Sequence, residues 1–341
     1  MRRRERFWFP FSVACPSFFG VSVFIESQAL HLPIASLEKA KFLDPGAPVV
    51  LGGMGGSGTR LAAEIVERLG FYLGSDRNAE KDNLWFTLLF KRLRWLQKIE
   101  RSDPRQIEVG LRAFTKAMLG QGVFSLAEME LIFRSAAEMT VFGQNAFCVG
   151  RGIWPWLRVQ SMLAAAEALP IENVRHFHGW GWKESNSHIY IEHLLRHFPA
   201  MKYIHVLRHG VDMAFSPNQN QLFTWGPLFC VSAPRGDHTK WPAAALKYWV
   251  RSNLRALEIG HRAGSDRFLC LNYDRLCAEP TNEIRRLVEF IGVDLSQKDF
   301  LALCALPRRL DSHGRYLQRD CRVFDCEDID AVREMGFDVK I

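Results

Sequence analysis

The chain has 341 residues, of which 48% are hydrophobic and 24% charged, and its formal net charge at pH 7 is +7. This length suffices for one large α/β domain or two small ones. The basic residues are interspersed with acidic ones, which fits binding of small anions and argues against a nucleic-acid partner. The eight cysteines include no C-x-x-C pair, so their spacing indicates neither a zinc site nor a disulfide framework.

The N-terminal region, residues 1–45, precedes the first pattern typical of a folded domain. An uncharged apolar run from Phe7 to Ile25 follows a cluster of arginines, and it is about long enough to cross a bilayer. Pro10 and Pro16 interrupt this run and would break a helix. We therefore expect a disordered extension on a cytoplasmic protein. The alternative is a membrane-anchored protein held through residues 7–25.

A glycine-rich loop follows the first predicted strand. "PVVLGG" (48–53) is a short apolar run typical of a buried strand, and "GTRLAAEIVERLG" (58–70) has the apolar spacing of a helix. Glycines between them allow positive φ angles and close approach of the backbone to a ligand. Amides at a helix N-terminus attract anions. The stretch therefore predicts a phosphate-binding loop, with a plain glycine-rich turn as the alternative.

Two nucleotide classes match this loop in part. From Gly53 to Gly58 the chain spells G-x-G-x-x-G, and Asp76 lies about 20 residues on, where the ribose-binding acid of an NAD(P)-dependent enzyme would stand. The same two glycines have Walker-loop spacing, but Thr59 and Arg60 follow where Lys and then Ser or Thr are required. The lysine that would reach a γ-phosphate is absent, which argues against a P-loop kinase.

The rest of the chain alternates between helical and strand patterns. Residues 84–169 are helical, with Ser125 and Glu128 forming a capping box, and their aromatic stripes are typical of packing faces. Strands are predicted at "VRHFHGWGWK", "MKYIHVL" and "RFLCLNY", each followed by a helix. Strands separated by helices predict a mainly parallel sheet with helices on both faces, which is a three-layer α/β sandwich.

Several candidate ligand-binding residues follow predicted strands directly. The glycine loop, Lys183, Arg208 and Tyr273 each stand at the end of one. In parallel sheets the carboxyl ends of the strands lie at one edge, where ligands bind. We therefore expect these four elements to share one site.

The sequence resembles the sulfotransferases that use 3′-phosphoadenosine 5′-phosphosulfate. "GGSGTRL" is similar to the family's 5′-phosphosulfate loop, and "FPAMKYIHVLRHGVDMAFS" to its 3′-phosphate element. "FLCLNYDRLCAEPTNEIRRLVEFIGV" is similar to the family's strand, Tyr, acid, Leu, Pro and helix segment. The three stretches occur in the family's order and cover most of Val49 to Val293. "GRYLQRDCRVFDCEDIDAVREMGF" resembles the C-terminal tails of bacterial members.

The resemblance implies a fold, a cosubstrate and a reaction. The fold is like that of P-loop nucleoside-triphosphate hydrolases, here over residues 46–341 with a helical substrate-side insert at about 84–170. The cosubstrate is 3′-phosphoadenosine 5′-phosphosulfate, with no metal. The acceptor is a hydroxyl or amine of a small molecule or glycan. The aromatic and amide side chains after Arg208 would suit a carbohydrate.

The resemblance also assigns nucleotide-binding residues. Arg208 offers a planar fork of donors, and Ser216 a hydroxyl, to the 3′-phosphate. The full set of candidates is Gly55, Gly56, Ser57, Gly58, Thr59, Arg60, Arg208, Ser216, Tyr273 and Arg315.

One departure from the family's pattern concerns catalysis. Gly56 stands where the family's loop has Lys or Arg, so the cation for the sulfonyl group must come from Lys183 or Arg60. The alternative is a nucleotide-binding protein that lost catalysis with this cation. A general base must deprotonate the acceptor. The candidates for this role are Glu80, Asp82 and His178.

Overall fold

Five parallel strands form the central sheet of the protein. A computed structural model describes residues 44–121, 123–142, 155–168, 176–234, 236–308 and 312–340. The strands lie in the order β2-β3-β1-β4-β5, and each neighbouring pair is parallel. Their bounds are Val49–Gly52 (β1), Phe71–Tyr72 (β2), Gly179–Lys183 (β3), Lys202–Leu207 (β4) and Phe268–Asn272 (β5). The first strand therefore lies at the centre, and its carboxyl end opens into the glycine loop.

The described helices fall between and after these strands. Their bounds are Thr59–Arg68 (α1), Leu84–Phe90 (α2), Leu93–Ser102 (α3), Arg105–Leu119 (α4), Leu126–Phe142 (α5), Pro155–Ala168 (α6), Ile191–His197 (α7), Gly210–Ala214 (α8), Asn220–Trp225 (α9), Trp241–Ala263 (α10), Tyr273–Ala278 (α11), Pro280–Ile291 (α12), Gln297–Cys304 (α13) and Cys326–Glu334 (α14). Short 3₁₀ turns precede α7 at Ser185–Tyr190 and follow α13 at Arg315–Gln318.

Alternate strand residues enter two separate hydrophobic cores. In β1, Val49 and Leu51 join a core that includes residues of α1 and α12. Val50 joins the other core, which includes residues of α2, α4 and α10. Because successive side chains of a strand point to opposite faces, the two cores lie on opposite faces of the sheet. The predicted three-layer α/β sandwich with a parallel sheet is thus confirmed.

The helices α2 to α6 occupy the range predicted as a substrate-side insert. All side chains of α2 are buried, and its Phe86 lies 5.6 Å from the rings of both Phe114 and Trp182. The predicted capping box is present at the start of α5. The backbone amide of Ser125 donates to Glu128 Oε2 at 2.7 Å, and that of Glu128 donates to Ser125 Oγ at 3.4 Å. The aromatic stripes therefore serve packing, as expected.

The described residues contain no helix that is both long and apolar enough to cross a bilayer. The apolar run from Phe7 to Ile25 lies outside the described residues.

The strand order argues against the dinucleotide-binding alternative. In that fold the strand that carries the ribose-binding acid lies directly beside the first strand. Here β3 separates β2 from β1. The carboxylate of Asp76, which follows β2, instead pairs with Arg158 Nη2 at 3.3 Å. The G-x-G-x-x-G pattern thus matches the loop by spacing, while the topology around it differs.

Candidate functional site

The glycine loop presents free backbone amides at the start of α1. Gly56 and Gly58 have φ angles of 92° and 97°, and Gly58 is the N-cap of the helix. Four backbone amides in the loop's second half donate to no acceptor in the described part of the chain. They are those of Gly56, Gly58, Thr59 and Arg60. The amide of Ser57 is used by the carbonyl of Met54 at 3.0 Å. These free donors and the helix dipole make the loop suited to an anion.

The ring of Tyr273 packs against the loop at Gly58 and restricts its path. A Cβ atom on Gly58 would lie 2.0 Å from the Tyr273 ring, and the ring is also 5.3 Å from the Arg208 guanidinium carbon. Burial raises the pKa of the Tyr273 hydroxyl. This residue, predicted to bind the nucleotide, therefore packs behind the loop and supports it.

We expect Gly58→Ala to disrupt the loop and Gly55→Ala to leave it intact. The Gly58 variant combines a positive φ, which costs about 1–2 kcal/mol for a non-glycine residue, with overpacking of about 1–3 kcal/mol against the Tyr273 ring. A Cβ on Gly55 has Gln221 Cδ as its nearest neighbour at 3.8 Å, and its φ carries no such penalty. Thermal unfolding of both variants is the measurement. Equal losses of stability would contradict this account of the loop.

Arg208 joins the end of β4 to the loop and to the C-terminal tail. It is 5% exposed. Its Nη1 donates to the Gly56 carbonyl at 3.1 Å, and its Nη2 donates to Ser312 Oγ at 2.8 Å. Its Nε is buried and has no partner among the described residues. The guanidinium thus lies beside the loop with donor capacity to spare.

Asp212 brings the C-terminal tail to Arg208. Its carboxylate accepts from the backbone amides of Gly314 at 2.6 Å and Tyr316 at 3.1 Å. Burial and the positive charge of Arg208 lower the pKa of Arg315, which stands between these two residues. Arg315 Nε donates to the Ser312 carbonyl at 3.2 Å, and Arg208 contacts the hydroxyl of the same serine. Both guanidinium groups therefore lie beside Ser312, and an anion between them would reduce their repulsion.

Lys183 lies at the end of β3 in a buried ion pair. It is 2% exposed, and its Nζ donates to Asp82 Oδ1 at 2.6 Å and to the Glu80 carbonyl at 2.9 Å. The Glu80 carboxylate in turn lies 3.8 Å from Arg60 Nη2, and both of these side chains are more than half exposed. Four of the five predicted catalytic residues therefore converge beside the start of α1.

The remaining candidates lie apart from this cluster. His178 precedes β3, and its Nδ1 lies 3.0 Å from the Leu69 carbonyl. That is the amino end of the strand, whereas the glycine loop stands at the carboxyl ends. Ser216 follows α8, and its Oγ accepts from the amide of Asn218 at 3.3 Å. The contacts of Arg208 run to Gly56 and Ser312, so Ser312 holds the position beside the guanidinium that sequence reasoning gave to Ser216.

Sequence reasoning missed the buried carboxyl that follows Lys183. Glu184 is 1% exposed, and it accepts from the Asn186 amide at 2.6 Å and from Asn186 Nδ2 at 2.7 Å. Burial, together with the negative charge of Asp82, raises the pKa of Glu184 to about 7. Its position directly after a predicted site lysine was the available signal.

This raised pKa predicts a pH-dependent stability. A carboxyl whose pKa rises from 4.5 to about 7 on folding binds its proton more tightly in the folded state. The stability gained from this proton is therefore lost as the pH rises through that range. Wild type should therefore become less stable relative to Glu184→Gln between pH 4.5 and 7, by about 3 kcal/mol in all. Urea unfolding of both proteins at several pH values measures this. A difference that stays constant with pH would contradict it.

The fold and the loop define a class, the α/β proteins with a glycine-rich loop at the carboxyl edge of a parallel sheet. Residues 48–297 match the model of the sulfotransferase family. The chain therefore belongs to the sulfotransferase family, and its activity class is that of a transferase.

Solved sulfotransferase structures cover most of this chain at low sequence identity. The sulfotransferase domain of the Synechococcus PCC 7002 olefin synthase is 17% identical, with 90% of this chain and 100% of that chain covered and a TM-score of 0.43. A Mycobacterium avium sulfotransferase is 15% identical, with 86% and 77% covered and a TM-score of 0.40. The sulfotransferase domain from the curacin biosynthetic pathway is 13% identical, with 86% and 99% covered and a TM-score of 0.42. No curated protein matches the sequence.

Proposed function

We propose that this sulfotransferase transfers a sulfonyl group from 3′-phosphoadenosine 5′-phosphosulfate to a hydroxyl or amine of an acceptor. The observation that carries the proposal is the hydrogen bond between Arg208 and the Gly56 carbonyl. It joins a basic strand end to an amide-rich loop, so that one site offers donors for two separate phosphate positions. A donor with phosphates at both its 3′ and 5′ positions needs such a site.

The donor set of the site fits the two ends of this nucleotide. The amides of Gly56, Gly58 and Thr59 would hold the 5′-phosphosulfate at the helix N-terminus. Arg208, with its unpartnered buried Nε, and Arg315 would hold the 3′-phosphate. A phosphate bound by both guanidinium groups would offset the repulsion between their positive charges. Ser216 remains a further candidate for this phosphate on the strength of its position in the sequence.

The chain's own residues can accept the proton that the reaction releases and stabilise the charge that it generates. The acceptor atom attacks sulfur, the bond from sulfur to the bridging phosphate oxygen breaks, and its electron pair stays with the departing phosphate. Lys183 would contact the sulfonyl group during its transfer and stabilise the negative charge on its oxygens in the transition state. Asp82 is occupied by Lys183 and by the amide of Ser185, whereas the Glu80 side chain is 58% exposed. We therefore assign Glu80 as the base that takes the acceptor's proton.

The connection between β4 and α10 bears on the class of acceptor. Some of the amide and aromatic side chains that suggested a carbohydrate make internal hydrogen bonds. Gln219 donates to the carbonyls of Met213 and Ala214, and Trp225 donates to Asn186 Oδ1. Asn220 and Phe223 of α9 remain exposed, and they support a small polar acceptor, of which a carbohydrate is one case.

An acceptor panel tests the proposed reaction. The protein would be incubated with 3′-phosphoadenosine 5′-phosphosulfate and, separately, a sugar, a phenol, an aliphatic alcohol and a primary amine. We expect at least one class to release 3′,5′-adenosine bisphosphate in an acceptor-dependent manner. Tight nucleotide binding without release from any class would favour the alternative of a binding protein that lost catalysis with the loop cation.

Arg208→Ala should reduce the preference for the 3′-phosphorylated nucleotide. A hydrogen bond to a charged group contributes about 1.5–3 kcal/mol, or about 10- to 100-fold in affinity. The variant should lose about that factor for 3′,5′-adenosine bisphosphate and much less for 5′-AMP, which lacks the 3′-phosphate. Paired calorimetric titrations of both ligands measure the ratio.

Ser312→Ala is the matched control, because it removes one present partner of Arg208 and keeps the guanidinium. It should change the preference far less. If Arg208→Ala weakened both nucleotides equally, the arginine would support the loop without contacting the 3′-phosphate.

A further inference from the structure

One amide of the glycine loop is bound by a side chain from a distant part of the chain. The Gly55 amide donates to Gln221 Oε1 at 2.9 Å. Gln221 lies on α9, in the connection between β4 and α10. Among the described residues, the amides of Gly56, Gly58, Thr59 and Arg60 remain free. The Gly55 amide therefore holds the loop in place, while the amides after it can bind a ligand.

A chain of directed hydrogen bonds fixes the orientation of Gln221. Trp225 Nε1, which can only donate, donates to Asn186 Oδ1 at 2.8 Å. Asn186 must then present its Nδ2 to the Glu184 carboxylate, which it does at 2.7 Å. Gln221 Nε2 donates to the same Asn186 oxygen at 2.9 Å, which leaves Gln221 Oε1 to face Gly55. The side-chain amide groups of Asn186 and Gln221 therefore each have one assignable orientation. We call the hydrogen-bonded series Glu184, Asn186, Trp225 and Gln221 the relay.

The relay ties the loop to the end of β3 through two points. Besides Gly55, the amide of Gly53 donates to the Ser185 carbonyl at 3.2 Å. Ser185 and Asn186 lie two and three residues after Lys183, so the same segment positions the buried lysine and the first half of the loop. Because Glu184 and Trp225 are both buried, the far end of the relay is rigidly packed.

We propose that Gln221 is a positioning residue for the donor site. It holds the first half of the loop in place, so that the free amides of the second half converge on the 5′-phosphosulfate. This inference rests on the proposed function and extends it to a residue outside the family-like motifs. Gln221 acts through Gly55 and touches no reacting atom. Its loss should loosen the loop and weaken donor binding, with little effect on the acceptor.

The test compares Gln221→Ala with Thr224→Ala, a half-buried neighbour on the same short helix. Loss of one neutral hydrogen bond should raise the dissociation constant of 3′,5′-adenosine bisphosphate about 3- to 10-fold in the Gln221 variant, and leave it unchanged in the control. Hydrogen exchange of the peptide that contains Gly55 should be faster in the Gln221 variant alone. A residue with only a structural role would lower the melting temperature without changing either quantity.

The outcomes separate this inference from the proposed function. If wild type does not bind the bisphosphate, the proposed donor is wrong. If wild type binds it and the Gln221 variant binds it equally well with unchanged exchange at the loop, the proposed function stands and the positioning role of Gln221 is overturned.

Discussion

Replacing Lys183 with methionine should lower turnover about 100- to 1,000-fold, which is the loss typical of removing one donor to charge that develops in a transition state. Affinity for 3′,5′-adenosine bisphosphate should change far less, because that product carries no sulfonyl group. Gly56 stands where the family's loop has Lys or Arg, and Lys183 is the last residue of β3, at the edge of the sheet that carries the loop. Steady-state turnover and product affinity are measured on the same preparations.

The double variant Lys183→Met with Asp82→Asn controls for stability. Methionine alone leaves the Asp82 carboxylate without its main partner, and breaking a buried pair in this way costs about 3–5 kcal/mol. The double variant removes both charges and should recover part of the stability without recovering turnover. If its turnover returned towards wild type, Lys183 would be a structural residue. Unchanged turnover in the single variant would move the catalytic role to Arg60.

Glu80→Gln should lower turnover about 100- to 10,000-fold, the range for loss of a general base. Glutamine keeps the size of the side chain but cannot accept the acceptor's proton. The Glu80 contact with Lys183 uses the backbone carbonyl, so the substitution leaves the lysine in place. Turnover of wild type and variant at the same pH is the measurement.

Asp82→Asn is the matched comparison for Glu80. It weakens the ion pair of Lys183 directly and should therefore lower both stability and turnover, whereas Glu80→Gln should lower turnover alone. If Glu80→Gln is fully active while Asp82→Asn is inactive and stable, the proton passes to Asp82 and our assignment of the base is wrong.

The sheet could be predicted because its signals are local. Runs such as "MKYIHVL" combine β-branched residues with flanking helix patterns, and four of the five strands lie within predicted positions, the exception being the two-residue strand β2. The convergence of Lys183 and Arg208 with the loop also followed, since parallel strands place their carboxyl ends at one edge. Asp76 was ambiguous because spacing alone cannot show that β3 inserts between β1 and β2.

Contacts over long sequence distances could not be predicted in the same way. Ser312 reaches Arg208 because Asp212 binds the amides of Gly314 and Tyr316, and no pattern in the tail announces this. Gln221 belongs to a polar connection whose composition suggested acceptor binding, yet its amide group serves the loop. His178 was a candidate base by residue type, and only the direction of β3 shows which end of the strand it occupies.

The most direct test of the account is the choice of nucleotide by the wild-type protein. Calorimetric titrations would compare 3′,5′-adenosine bisphosphate in the presence of EDTA, ADP in the presence of magnesium, and NAD. We predict that the bisphosphate binds with EDTA present and at least about 10-fold more tightly than the other two, since neither ADP nor NAD carries the 3′-phosphate that Arg208 would bind. Tighter binding of NAD or magnesium-ADP, or a strict requirement of the bisphosphate for magnesium, would contradict the account.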